Sequence, residues 1–245
     1  MKQTAKHKNM KNFYQILIAI LTTAMIISCA KKNTDNLLVQ GSTGIIKDIE
    51  GNVYKTIKIG NQWWMTENLR TTKYRSGKAI PNVTSNTAWM ALTTPAYCSY
   101  NNDFNTYGIH GLHYNWYVIN SMSNGNENIA PEGWHVPSND EFVTLADFLG
   151  GLTVAGGKLK ESGINNWSSP NTGATNSSGF TALPHGVRYH VDGTFGLLNT
   201  FVHWWSTTPN GDSKAWNICL INEDAEVHNI ASDKRLGFSI ICVKD

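Results

Sequence analysis

Nine tryptophans occur in this chain of 245 residues, and they constrain its fold more than any other feature. An indole carries a large apolar surface, and its single N–H needs an acceptor once it is buried. A fold that absorbs nine of them needs either an aromatic-rich core or an extensive aromatic contact surface. The length suffices for one large domain or two small ones. With 41% hydrophobic, 11% aromatic and 16% charged residues, the chain lies outside the disordered class. Its 21 glycines and 7 prolines imply many turns, without a collagen period.

The formal charge of +2 is local in origin. Four of the 20 basic residues, Lys2, Lys6, Lys8 and Lys11, fall within residues 1–28, which contain no acid. The remaining 16 basic residues face 18 acidic ones, a net of −2. No basic nucleic-acid surface is supported, so nucleic acid is not an expected partner. The same stretch reads as a secretory signal: a basic segment ends at Asn12, and an apolar run extends from Phe13 to Ile27. Such a run is short against the roughly 20 residues needed to span a membrane. It closes with Ile26-Ile27-Ser28-Cys29, which resembles the lipobox of bacterial lipoproteins. That resemblance implies diacylglycerol on Cys29 and cleavage before it. Residues 1–28 are then the signal peptide, and 29–44 the lipidated Cys with a polar, flexible tether. Through this anchor the expected partner is a membrane, and the expected place is the outer membrane, on its periplasmic or cell-surface face.

From Ile45 to Asp245 one domain is expected, with short strands between turn-rich connections. Val53, Ile57 and Ile59 alternate with Tyr54, Thr56 and Lys58, and turns at Glu50-Gly51-Asn52 and Gly60-Asn61-Gln62 flank the run. Near the end, 216–221, 226–230 and 236–243 read as three strands joined by turns. Two helices are expected between. Ser138 and Glu141 form a capping box ahead of Phe142, Leu145, Ala146 and Leu149, and Gly150-Gly151 stops the helix. The second runs over about 107–120, with Leu112, Trp116 and Ile119 on one stripe. Residues 165–180, rich in Asn, Ser, Thr and Gly, read as a long ordered loop. The class is α+β.

Four phrases in order carry a family resemblance: Ile59 to Leu69 (IGNQWWMTENL), Pro131 to Pro137 (PEGWHVP), Ser178 to Pro184 (SGFTALP) and Gly237 to Asp245 (GFSIICVKD). Together they resemble the Fibrobacter succinogenes major paralogous domain (FISUMP), common in secreted and lipoprotein chains of Bacteroidota, over about residues 45–245. Trp204-Trp205-Ser206-Thr207-Thr208, with Ala215-Trp216 and the closing phrase, is also similar to C-type-lectin-like domains. The resemblance implies small twisted antiparallel sheets with two helices and long ordered loops. By the same likeness Cys219 and Cys242 are the expected disulfide; the alternative is three reduced thiols, with Cys98 buried among Tyr97 and Tyr100.

Candidate chemistry is sparse. His110 and His113 could share a helix face, but no third ligand is nearby, so no metal is expected. The calcium-binding phrases of true C-type lectins are missing, and Asn222-Glu223-Asp224 reads as a hairpin turn. Gly156-Gly157-Lys158-Leu159 lacks the spacing of a phosphate loop. No cofactor is called for, and no catalytic constellation shows. Most tryptophans in the family phrases are expected in the core. The contact surface is then expected on Tyr189, His190, Asp192 and Phe195, around a Val191-Asp192-Gly193-Thr194 turn. The function that follows is a cell-envelope lipoprotein with a non-catalytic binding or adhesion module. Its expected ligand is a glycan or an envelope protein. The alternatives are a carbohydrate-active enzyme without a visible motif and a purely structural envelope protein.

Overall fold

The chain opens as a hairpin because Asp48 organises its turn. Its Oδ1 accepts the backbone N–H groups of Glu50 and Asn52, each at 2.9 Å. Its Oδ2 accepts the Tyr54 hydroxyl at 2.6 Å. This turn joins strand β1 (Thr43–Lys47) to β2 (Val53–Ile59), and Gly60, at φ +60°, turns β2 into β3 (Gln62–Met65). In this computed structural model, which describes residues 41–245, these strands start an antiparallel sheet of order β1-β2-β3-β12-β6. Its other members are β6 (Trp134–His135) and β12 (Val243–Lys244). The described residues belong to one unit, Gln40–Asp245. The expected signal segment, Cys29 and nearly all of the tether lie outside them. Strand β1 already includes Thr43 and Gly44 of that tether.

The alternation expected in β2 is modified. Tyr54 and Thr56 are buried and Val53 is exposed, while Ile57 and Ile59 point inward as expected. The tyrosine goes in because its hydroxyl has two partners there, Asp48 and the Arg70 backbone N–H.

Further along come the short helix α1 (Asn86–Met90) and two small hairpins. One pairs β4 (Tyr97–Cys98) with β5 (His113–Tyr114), the other β7 (Val187–Arg188) with β8 (Phe195–Gly196). A second sheet has the order β11-β10-β9 and contains β9 (Phe201–Asn210), β10 (Lys214–Ile221) and β11 (His228–Asp233). The capping box at Ser138 and Glu141 starts helix α2 (Asn139–Phe148). Gly150 and Gly151, at φ +105° and +96°, end it. Helix α3 (Leu152–Leu159) then leaves at a bend of 84°. The observed class is α+β, with small antiparallel sheets and few helices.

Three expectations need correction. The helix over 107–120 does not form. A single 3-10 turn (Gly108–His110) ends at Gly111, and β5 and another 3-10 turn (Trp116–Val118) follow. Gly111 has φ +131°, and a Cβ there would stand 2.4 Å from Asn68 Cβ; this close crossing breaks the helix. Helix α3 was not anticipated, because its two glycines argue against a helix. They are there for contact, since a Cβ on Gly156 would lie 2.1 Å from the Glu226 carbonyl oxygen. Residues 236–243 also do not return as a strand beside β11. They cross the molecule, and Gly237, Phe238 and Ser239 form bridges to Arg188, Tyr114 and Trp204.

That path separates the two cysteines expected to pair. Cys219 lies on β10, and Cys242 precedes β12 in the other sheet. Cys98, Cys219 and Cys242 are all free and buried. Burial pushes the Cys98 thiol up to about 12 and raises the other two as well, which suppresses the reactive thiolate.

The core takes up most of the tryptophans. Trp64, Trp89, Trp167 and Trp205 are fully buried, Trp116, Trp134 and Trp204 nearly so, and Trp63 and Trp216 are half-buried. Thiol titration in denaturant without reductant is expected to count all three of Cys98, Cys219 and Cys242. Adding reductant to the native protein is expected to leave its Tm unchanged. One detectable thiol among the three would restore a disulfide.

Candidate functional site

The chain downstream of β3 supplies one wall of a cleft. Thr66 donates its N–H to the Lys55 carbonyl at 3.0 Å. Glu67 Oε2 accepts the Lys55 N–H at 2.6 Å, so this half-buried carboxylate is held against the side of β2. Asn68 is buried and used twice: its Oδ1 accepts the Trp204 indole at 2.7 Å, and its Nδ2 donates to the His110 carbonyl at 3.1 Å. The Arg70 guanidinium lies 4.6 Å over the Tyr54 ring and donates to the Val53 carbonyl.

The opposite wall is the end of the loop after α3. Gly179 at φ +72° and Thr181 at φ +60° shape it. Thr181 is clamped by Asn176, whose amide accepts the Thr181 N–H at 2.8 Å and donates to its hydroxyl at 2.9 Å. Between the walls lies a hollow of about 560 Å³ with Ile57 and Leu183 on its lining. A smaller one of about 60 Å³ adjoins it at Thr66, Glu67 and Leu183 and extends to Arg70, His110 and Trp204. The combined cleft offers a carboxylate, a guanidinium, an imidazole, hydroxyls and an aliphatic lining. That is a hydrogen-bonding surface for a polar ligand with an apolar face. Glu67 is the one carboxylate among the described residues that line these two hollows.

Three sequence phrases meet at this cleft: IGNQWWMTENL through Thr66 and Glu67, SGFTALP through Gly179, Thr181 and Leu183, and the Trp204-Trp205 segment through Trp204. The Fibrobacter succinogenes major domain model matches residues 57–244. The chain belongs to this family. No curated protein and no solved structure matches it. The family's remaining phrases serve elsewhere in the molecule. In PEGWHVP, His135 is bridged between Asp245 at 2.6 Å and Glu141 at 2.7 Å, which ties β6 to the start of α2.

The residues singled out from sequence as a contact surface do occupy a hairpin, β7–β8, but each is engaged locally. Asp192 is exposed, and its Oδ1 accepts the Thr194 N–H and hydroxyl. Tyr189 packs over Gly196, where a Cβ would meet its ring at 2.8 Å. His190 Nε2 lies 3.7 Å from Asp233. Phe195 turns inward to Tyr100, at 5.3 Å, and to the buried Arg188 guanidinium, at 4.8 Å. None of the four lines the cleft described above. Sequence reasoning quoted Thr66, Glu67 and Thr181 as family phrases without assigning them a site. The available signal was a run of polar side chains, Thr66-Glu67-Asn68, beside apolar residues that already suffice for the core.

His110 and His113 are also parted. His110 is exposed beside the cleft, whereas His113 is fully buried and stacked on His185 at 4.4 Å with the rings 5° from parallel. Both His113 ring nitrogens and His185 Nε2 are buried without a hydrogen-bond partner. Burial lowers His113 to about 4 and holds His185 well below the usual imidazole range. Both are therefore neutral in the native state while the unfolded chain protonates near 6.5. The stability they allow is complete above pH 6.5 and is lost as pH falls toward 4. Denaturant unfolding from pH 7 to 4 should show this fall. His113→Phe, which keeps a ring in the stack, should make it shallower, the rest coming from His185 and from the equally buried His203, lowered to about 4. An equal slope in both proteins would remove the pair as its source.

Proposed function

We propose that this protein is a cell-envelope lipoprotein whose C-type-lectin-like domain is a non-catalytic binding module. Its glycan site is the cleft between Glu67 and Thr181. The observation that carries the reading is the meeting of two family phrases and the Trp204-Trp205 segment at one concave surface with polar groups around an aliphatic lining. A sugar ring presents hydroxyls at its edge and C–H groups on its face. Glu67, Arg70, His110 and Thr181 suit the first, Ile57 and Leu183 the second. Hydrolysis by paired acids needs two carboxylates about 5–10 Å apart, and Glu67 alone among the described lining residues carries one, which favours binding over cleavage. The lipobox at Cys29 supports attachment to the outer membrane, since acyl chains contribute about 0.8 kcal/mol per buried methylene.

A glycan array probed with the full-length protein in detergent tests the cleft. At least one glycan is expected to bind, and Glu67→Gln and His110→Ala should each weaken it. A hydrogen bond to a charged group is worth roughly 1.5–3 kcal/mol, so the Glu67→Gln loss should be on the order of tenfold or more. Tyr189→Ala should bind as the unaltered protein does. Loss in the Tyr189 variant alone would move the site to the β7–β8 hairpin, and a blank array would overturn the glycan reading. Cys29→Ala is expected to abolish labelling by a fatty-acid analogue and to leave the precursor uncleaved; unchanged labelling would refute the anchor.

A further inference from the structure

The turn from β10 into β11 carries a donor set that the cleft does not use. Asp224, Glu226 and His228 stand at alternate positions, and one ligand atom from each lies within 4.8 Å of the other two. His228 Nε2 is already 2.9 Å from Asp224 Oδ2. Around a tetrahedral metal with bonds of about 2.1 Å, donors stand roughly 3.4 Å apart, so side-chain rotations that draw the three atoms in from 4.8 Å or less would close the set. Glu226 is exposed, and its carboxylate accepts no hydrogen bond from the described residues.

Two further observations distinguish this turn from an ordinary acidic loop. First, its backbone is clamped from three directions. The Lys160 ammonium donates to the Asp224 carbonyl at 2.6 Å, Gly157 N–H to the Ala225 carbonyl at 3.0 Å, and Val227 N–H to the Leu152 carbonyl at 2.7 Å. The donors are thus presented by a held turn, and the absent Cβ of Gly156 is what lets α3 approach it. Second, His228 ends a row of nitrogen- and sulfur-bearing side chains across the sheet, the other two of which lie outside the three-residue donor set. His203, Cys219 and His228 occupy directly opposed positions on β9, β10 and β11. Cys219 is buried, with its Sγ 3.5 Å from His203 Nε2.

We propose that Asp224, Glu226 and His228 bind a divalent transition-metal ion of the zinc class, with solvent completing its coordination. Calcium is disfavoured. It takes six to eight oxygens, and the Asp224 and Ala225 carbonyls that could supply them are occupied by Lys160 and Gly157. Three protein ligands with an open position match the count of an open zinc site, and imidazole and carboxylate are both zinc ligands. This site stands apart from the cleft, and neither reading depends on the other.

Calorimetric titration of the full-length protein in detergent with zinc ion alone, and separately with calcium ion, tests it. Zinc is expected to bind tightly and to raise the Tm, because the metal binds the folded state. Glu226→Gln and His228→Gln should each weaken zinc on the order of tenfold or more, since even outer-shell partners of a metal are worth 10–100-fold. Glu223→Gln removes the same charge one position from Asp224 and should leave binding intact. Unchanged Tm of the Glu226 variant without metal confirms that its loss is not unfolding. Absent zinc binding, equal loss in all three variants, or tighter calcium than zinc would overturn the proposal.

Discussion

The closing segment, Gly237 to Val243, is the constraint on which the rest of the molecule depends. It is buried throughout and hydrogen-bonds to all four sheets formed by the described residues. Gly237 bridges to Arg188 of the β7–β8 hairpin, Phe238 to Tyr114 of β5, Ser239 to Trp204 of β9, and Val243 to Trp64 and His135. A single strand with so many partners can occupy one position only. It also leaves no room: a Cβ on Gly237 would stand 2.9 Å from Arg188 Cβ and 3.0 Å from the Trp89 ring. The cleft inherits its shape from this strand, because the Leu69 N–H donates to the Ile240 carbonyl at 2.8 Å and so sets the course of Glu67 and Arg70.

Long loops leave many backbone carbonyls without a ladder partner, and a buried one without a donor is costly. Here buried cations and indoles supply the donors. Arg188 donates to the carbonyls of Gly193, Val83 and Thr84 while lying 4.4 Å over Trp89. Lys160 donates to Thr172, Ile221 and Asp224, and Lys234 to Gly211 and Asp212 while over Trp116 at 4.5 Å. The indoles of Trp89, Trp116, Trp167 and Trp205 donate to carbonyls distant in sequence. The tryptophans are therefore both core and cross-link, and a binding surface on loops can be rigid without long elements.

Legibility followed the range of the interaction. The helix at 139–148 was readable because its capping box and its two stopping glycines each act within a turn of the helix end they define. The turns that flank β2 were readable for the same reason. The helix expected at 107–120 failed because the decisive contact, Gly111 against Asn68, spans 43 positions of sequence. Glycines in α3 misled in the opposite sense, since their purpose is approach to the 224–226 turn. The cleft was legible only as separate phrases; Glu67 and Thr181 reach the same hollow through packing that no local pattern encodes.

The sequence by itself determined the family, the α+β class, the aromatic character of the core and the local turns, because these depend on composition, order and short-range hydrogen bonding. Only the tertiary structure decided the path of the last strand, and with it the separation of Cys219 from Cys242, the stacking of His113 on His185 and the walls of the cleft. The physical reason is that each of these depends on which distant backbone groups satisfy one another. Many pairings are locally equivalent, and close packing around a single buried strand selects among them.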